Sequence, residues 1–142
     1  MFEEIGYHLP FASAPGIRRC PAPFHRRPGK NMWWCVDFAM PEGTPILAAR
    51  DGVIIERESR YAKNYRAPRH SARANSVTIR HEDGQESFYV HLAWRSIRLH
   101  IGQRICAGEV IGLSGATGYA TYPHLHFGVF DANGRNMRIC WR

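Results

Sequence analysis

Apolar and polar residues alternate over short stretches of this chain, and apolar residues at helical spacing are nearly absent. Such alternation is typical of strands that pack one face on a core and expose the other. Residues 76–81 alternate most clearly and lead through the turn Glu82-Asp83-Gly84 into a partner stretch. By the same criteria we predict strands at 45–50, 52–58, 76–81, 86–92, 97–101, 109–114, 124–130 and 137–141. Their length and spacing predict an antiparallel all-β domain.

Two stretches lack this alternation. The first 36 residues contain five prolines, and within them residues 20–29 are predicted to form an ordered arm rather than a helix. Residues 61–73 are basic and polar, which predicts a mobile loop. At 142 residues the chain has the length of one compact domain. We divide it into an arm at 1–36 that contributes to a site and a β domain at 37–142.

The charge is strongly basic, with 19 Lys and Arg against 12 Asp and Glu, a formal net charge of +7. Lys30 and Lys63 are the only lysines, so the positive charge is almost all arginine. This balance suits anionic polymers of a cell envelope, an acidic surface or nucleic acid. The arginines are scattered, and no recognition helix concentrates them, so nucleic acid is the weakest of these partners.

The sequence also bears on location and redox state. It has no run near the ~20 apolar residues that span a membrane, and the first residues do not resemble a signal peptide. The chain has four cysteines, and no two of them form a C-x-x-C pair, which argues against a zinc knuckle. One or two disulfides and buried free thiols both remain open for Cys20, Cys35, Cys106 and Cys140.

His124-Leu125-His126 is the most informative motif. On a strand, residues i and i+2 point to the same face, so both imidazoles enter one site. Pro123 marks the start of that strand. Two histidines on one face suit a metal site or a proton-transfer site, although a surface pair is the simpler interpretation of the motif alone.

Three other segments supply candidate groups. Asp37 lies among apolar residues, where a carboxylate is rare unless it is paired or binds a metal. Alternation in residues 88–92 predicts that Tyr89 and His91 share one face. His25 lies in the proline-rich arm upstream of Asp37.

Together these segments resemble the lysostaphin/LytM-type zinc endopeptidases of bacterial cell walls. The resemblance runs from about Asp37 to Val129 and follows the order of the family's elements. Its pieces are residues 37–53, 76–84, 89–92, 102–112 and 115–126. It implies the antiparallel β-sheet or sandwich of the LytM type, also called the duplicated hybrid motif, with an irregular N-terminal arm.

The resemblance also implies a zinc site. In this family, zinc is held by a first His, an Asp and the second His of His-x-His; Asp37 and His126 match the latter two. His91 and His124 match the two histidines beside the open coordination position, and they are expected to transfer protons and stabilise the oxyanion. Three protein ligands and a water are the pattern of catalytic zinc.

One position departs from the family. The first His usually lies four residues before the Asp, and here that residue is Trp33, which cannot ligate a metal. Either the site is degenerate and the domain binds without catalysis, or another histidine replaces the missing ligand. We favour His25 as the third ligand.

The expected function is therefore zinc-dependent hydrolysis of amide bonds in peptidoglycan peptides, with Tyr119 and Tyr122 as candidates for substrate binding. The alternative is an inactive LytM-like domain that binds cell wall or activates another hydrolase. Residues 102–112 also resemble biotinyl and lipoyl carrier hairpins, but neither lysine lies at such a tip. The resemblance places the protein in the bacterial envelope, the periplasm or outside the cell.

Overall fold

The computed structural model describes residues 6–65 and 73–142. The predicted loop at 61–73 and the segment at 1–5 therefore lie partly or wholly outside the described residues. The strands are β1 (Arg18–Cys20), β2 (Val36–Ala39), β3 (Pro45–Leu47), β4 (Gly52–Glu58), β5 (Ser76–Arg80), β6 (Glu86–Val90), β7 (Arg104–Ile105), β8 (Val110–Leu113), β9 (His124–Phe130) and β10 (Asn136–Met137). The described chain forms one large antiparallel sheet in the order β1-β2-β9-β6-β5-β4-β7, with β10 also paired to β9, and a small sheet of β3 and β8.

The all-β prediction is confirmed. Within the described ranges there is no α-helix, and the one helical element is a 3-10 turn at Pro23–Arg26. The predicted strands at 52–58 and 124–130 match β4 and β9, and those at 76–81 and 86–92 end one or two residues early. No described segment is a long apolar helix of the kind that could cross a membrane.

Two strand predictions were wrong. Residues 97–101 form no strand, although Ile97 and Leu99 are buried in the core. The carbonyl of Ile97 accepts a hydrogen bond from the Arg57 guanidinium, and the amide of His100 donates to the Gln103 side chain. Side chains thus take the place of a neighbouring strand there. In the predicted strand 137–141, regular pairing stops at Met137.

Alternation along β9 separates the core from the site. Leu125, Phe127 and Val129 are buried in the hydrophobic core, while His124 and His126 lie on the opposite face. The neighbouring strands follow the same pattern, since Phe38 of β2 enters the core and Asp37 does not. The core therefore fixes which face of the sheet carries the polar residues.

The first residues of the described chain belong to this core. Tyr7 and Phe11 are buried within it, and Tyr7 forms a bridge with Trp141. β1 pairs with β2 and covers the edge of the sheet next to Asp37. As a result, β2 is an interior strand, with neighbours on both sides.

Candidate metal centre

A row of side chains crosses the interior of the sheet at the middle of β9. Asp37 of β2 and Val90 of β6 are both register partners of His126. Directly paired residues of antiparallel strands project to the same face. Backbone pairing therefore brings Asp37 and His126 together, although they lie far apart in the sequence.

Three ligand atoms converge at this row. The Nε2 atom of His25 lies 3.2 Å from Oδ1 of Asp37, and Nδ1 of His126 lies 3.0 Å from the same oxygen. The two imidazole nitrogens are 3.2 Å apart. Ligands about 2.0–2.1 Å from a tetrahedral zinc ion are separated by about 3.3 Å. The triangle thus has nearly the size of one face of a zinc site, and all three residues are buried.

His25 reaches the triangle from the arm. It lies in the 3-10 turn Pro23–Arg26, which begins with a proline as many helical turns do. Its Nδ1 atom donates a hydrogen bond to the carbonyl oxygen of Cys35, 3.1 Å away. A metal-ligating histidine commonly uses its other ring nitrogen in this way.

This hydrogen bond determines the chemistry of the triangle. Because a carbonyl can only accept, the proton of a neutral His25 ring is on Nδ1, and Nε2 presents a lone pair. That lone pair faces a carboxylate oxygen, and His126 Nδ1 is close to both atoms. One proton on His126 cannot satisfy all the lone pairs directed at this point. A bound cation would satisfy them, so the donor set fits a zinc ion.

The ionisation of Asp37 agrees with this donor set. Burial opposes its ionisation, but hydrogen bonds with His126 and His25 and the charges of nearby histidines outweigh that effect. The pKa of Asp37 is therefore well below its usual range, and the carboxylate is charged at neutral pH. Burial lowers the pKa of His126 despite the opposing effect of Asp37.

A second pair of histidines lies beside the triangle. The rings of His91 and His124 have centroids 4.6 Å apart, and Nε2 of His124 lies 3.6 Å from Oδ2 of Asp37. Both rings donate from Nδ1 to backbone carbonyls, His91 to Thr117 at 2.6 Å and His124 to Tyr122 at 2.8 Å. In the neutral rings both Nε2 atoms thus keep a lone pair.

His91 reaches this position through an unusual backbone conformation. The prediction that Tyr89 and His91 share a face was wrong, because Tyr89 is buried in the core and His91 borders the site cavity. The φ angle of His91 is 72°, in the left-handed region that is uncommon for a non-glycine residue. This conformation breaks the alternation of β6 and turns the ring toward the site face.

Asn75 and Thr117 hold the backbone around His91. The amide of His91 donates to the carbonyl of Asn75, and the Asn75 side chain donates to the carbonyl of Leu92. The hydroxyl of Thr117 donates to that same carbonyl and accepts from the amide of Asn75. Sequence reasoning missed both residues, since nothing in the local pattern links them to a histidine distant in sequence.

Two asparagines fasten the segment that leads into β2, and we call them the Asn31–Asn136 clamp. The Asn31 side chain donates to the carbonyl of Gly134 and accepts from the amide of Asn136. The Asn136 side chain accepts from the amide of Trp34, at 2.6 Å, and its Nδ2 lies 3.5 Å from Sγ of Cys35. The clamp therefore holds the backbone next to the carbonyl that orients His25.

A cavity of about 570 Å³ opens at the triangle. Tyr119 and Tyr122 both line it, and the ring centroids of Tyr122 and His124 are 4.7 Å apart. The ring centroids of Phe24 and Tyr119 are 6.1 Å apart, so the arm and the loop before β9 form facing walls. Trp33, in the position of the family's usual ligand, does not line this cavity.

The structure brings together the five ionisable residues singled out in the sequence, His25, Asp37, His91, His124 and His126. Their roles remain predictions. The four cysteines are all free in the structure, and Cys35 is buried while Cys106 and Cys140 are exposed.

The antiparallel β domain brings a carboxylate of β2, a histidine of β9 and a histidine of the arm around one point. Two histidines and a carboxylate are a donor set of zinc peptidases, so fold and site define the class of metallopeptidase domains. The model of peptidase family M23 matches residues 31–138. The chain belongs to this family, which confirms the resemblance found in the sequence.

Known proteins agree with this assignment. The chain is 41% identical over 92 residues to the peptidoglycan DD-endopeptidase ShyA of Vibrio cholerae, covering 64% of this chain and 18% of ShyA. A zinc-containing peptidase from Vibrio cholerae superposes with a TM-score of 0.58 and 29% identity, covering 94% of this chain and 34% of that one. The catalytic domain of lysostaphin, an antimicrobial peptidase from Staphylococcus simulans, superposes with a TM-score of 0.58 and 29% identity. The match covers 93% of this chain and 84% of that domain. The chain spans about a fifth of the length of the curated relatives it matches.

Proposed function

We propose that this chain is a zinc-dependent endopeptidase that hydrolyses amide bonds in the peptides of bacterial peptidoglycan. The observation that carries the proposal is the triangle of His25 Nε2, Asp37 Oδ1 and His126 Nδ1, with edges of 3.0–3.2 Å. The similarity of the chain to ShyA and lysostaphin supports peptidoglycan peptides as the substrate class. Action on peptidoglycan would take place in the cell envelope or outside the cell.

His25, Asp37 and His126 would hold the zinc ion. When bound, zinc polarises a carbonyl and lowers the pKa of a bound water to about 7. Two neutral imidazoles and one carboxylate leave a net positive charge on the loaded site, which suits an anionic transition state. The hydrogen bond to Cys35 keeps the lone pair of His25 directed at the site.

His91 and His124 form the catalytic pair. Burial and the charges of His124 and His126 lower the pKa of His91 to about 3, so its ring is neutral at pH 7. Two imidazoles this close disfavour double protonation, because like charges repel in a buried site. At most one of the two rings is therefore an imidazolium at any time. A neutral ring of the pair can accept a proton at Nε2 from the attacking water, and the imidazolium so formed can then donate from Nε2 to the oxyanion or to the leaving amine.

The substrate peptide would lie in the cavity between the arm and the loop before β9. Tyr119 and Tyr122 supply aromatic surface there, and the main chain on both sides is held by hydrogen bonds. Lys63 and Tyr65 pair with Gly118, which fixes the outer part of the Tyr119 loop. A groove with ordered walls can orient an extended peptide across the catalytic pair.

The test combines metal analysis with a cleavage assay. The purified chain is expected to contain one zinc per molecule and to cleave soluble cross-linked peptidoglycan peptides, as followed by mass spectrometry. His126→Ala should lose both zinc and activity, whereas His124→Ala should retain zinc and lose activity. A folded chain that binds no zinc would overturn the proposal and favour the non-catalytic domain as the alternative.

A further inference from the structure

A second cavity, of about 870 Å³, lies next to the proposed active site. Pro21, Ala22, Pro23 and His25 line both cavities, so this part of the arm is the wall between them. The second cavity contains neither His91 nor His124. A ligand bound in it would lie beside the substrate peptide without contacting the catalytic pair.

The lining of the second cavity is aromatic and basic. Trp33 and Trp34 are 50% and 41% exposed, an unusual state for two adjacent large apolar side chains. The guanidinium of Arg26 lies 4.9 Å from the ring centre of Trp33, and that of Arg138 lies 5.7 Å from a ring of Trp34. None of the described residues that line this cavity is acidic.

We propose that this Trp33–Trp34 cavity binds a glycan strand that bears carboxylate groups. Sugar rings present C–H faces that stack on indole rings, and arginine pairs with carboxylates through two parallel hydrogen bonds. The choice of a glycan rests on the proposed function, since the peptides of peptidoglycan are joined as amides to carboxyl groups of a glycan strand, and sugars without a peptide keep these groups as free carboxylates. The peptide would occupy the first cavity and its glycan the second, on the two sides of the arm.

The experiment measures binding of the full 142-residue chain to glycan strands from which the peptides have been removed. The test variants are Trp33→Ala with Trp34→Ala, and separately Arg138→Glu, whose side chain is exposed and need not disturb folding. Two controls match them in chemistry. Trp94→Ala removes a tryptophan that is 48% exposed and has Arg95 4.1 Å from its ring centre, and Arg98→Glu makes the same charge change outside the cavity.

The wild-type chain is expected to bind the strands saturably, and both test variants to bind about tenfold or more weakly, as when an anchor of an interface is removed. The controls should stay close to wild type. Equal loss in controls and test variants would indicate unspecific charge attraction and overturn the proposal. So would absence of wild-type binding, or tighter binding of single-stranded DNA that depends on the same residues.

Cleavage of soluble peptides that carry no glycan separates this proposal from the enzymatic one. Glycan binding without cleavage would support the cavity and overturn the endopeptidase. Cleavage without glycan binding would support the endopeptidase and overturn the proposed role of the cavity. Thermal unfolding of each variant ensures that a lost signal reflects the cavity and not the fold.

Discussion

Nδ1 of His25 donates a hydrogen bond to the carbonyl oxygen of Cys35, and Cys35 lies two residues before Asp37. The segment that places the carboxylate therefore also orients the histidine from the arm. Two of the three proposed ligand atoms are linked through this one backbone group. The carbonyl can play this role only if residues 31–35 are held in place, which is the task of the Asn31–Asn136 clamp.

Replacing His25 tests the third ligand. His25→Ala is expected to lose stoichiometric zinc, because two ligands cannot close the site, and to lose peptide cleavage with it. Zinc content after dialysis, measured by mass spectrometry, checks this. His100→Ala is the matched control, since its side chain is exposed and lies outside the cavity. Zinc retained in His25→Ala would show that another group completes the site.

Asn136→Ala tests the clamp. Loss of the hydrogen bond to the amide of Trp34 frees the segment that carries the Cys35 carbonyl. We expect zinc affinity to fall by about tenfold, the lower range for groups that orient a ligand, and stability to fall by about 1 kcal/mol. Asn133→Ala, in the exposed turn of the same hairpin, should leave zinc affinity unchanged. Unchanged affinity in Asn136→Ala would mean that His25 is oriented without the clamp.

The buried histidines predict a pH dependence of stability in the metal-free protein. The ordinary pKa of a histidine is 6.5, but burial and neighbouring charges lower that of His91 to about 3. Between these values the unfolded chain binds a proton at this ring that the folded chain does not. The free energy of unfolding should therefore fall as the pH decreases from about 6.5, by up to about 1.4 kcal/mol per pH unit from His91.

Urea unfolding at about pH 7 and about pH 5 in the presence of a chelator measures this slope. His126 and His81 act in the same direction, since burial lowers both of their pKa values. His91→Gln should reduce the slope, whereas His100→Gln, at an exposed position, should not. Equal slopes in wild type and His91→Gln would contradict the assignment.

Thiol reactivity tests the burial of Cys35, the last residue of the segment 31–35. Burial, together with the charge of Asp37, raises the pKa of Cys35 to about 12. The thiolate is the reactive form, so Cys35 should resist iodoacetamide at about pH 8 in the native protein. Cys106 and Cys140 are exposed and should be alkylated before Cys35. Peptide mass spectrometry locates the label, and early labelling of Cys35 would indicate that residues 31–35 open readily.

The sequence predicted the strands well where alternation was regular, as in β4 and β9. It also supplied the ionisable residues of the site. It failed at residues 97–101, where buried apolar side chains alternate but the backbone has side-chain partners instead of a strand. It failed again at His91, because the left-handed backbone that turns this ring depends on Asn75 and Thr117.

His25 could be predicted from the sequence, whereas the Asn31–Asn136 clamp could not. His25 could be nominated because the family's usual ligand position holds Trp33, and a nearby histidine was present in the arm. The clamp joins residues about a hundred positions apart through side-chain hydrogen bonds to the backbone. No local pattern marks such a pair, because its partners meet only after β9 and β10 have formed.

Asp37 and His126 face each other across paired interior strands, whereas His25 arrives from a short turn outside the sheet. Evolution can therefore treat the two kinds of ligand differently. A change in the strands would disturb the pairing of the whole sheet, but a turn can be lengthened, shortened or supplied by another stretch of chain. A third ligand supplied by the arm would leave position 33 without that role, and in this chain position 33 is a tryptophan at the second cavity.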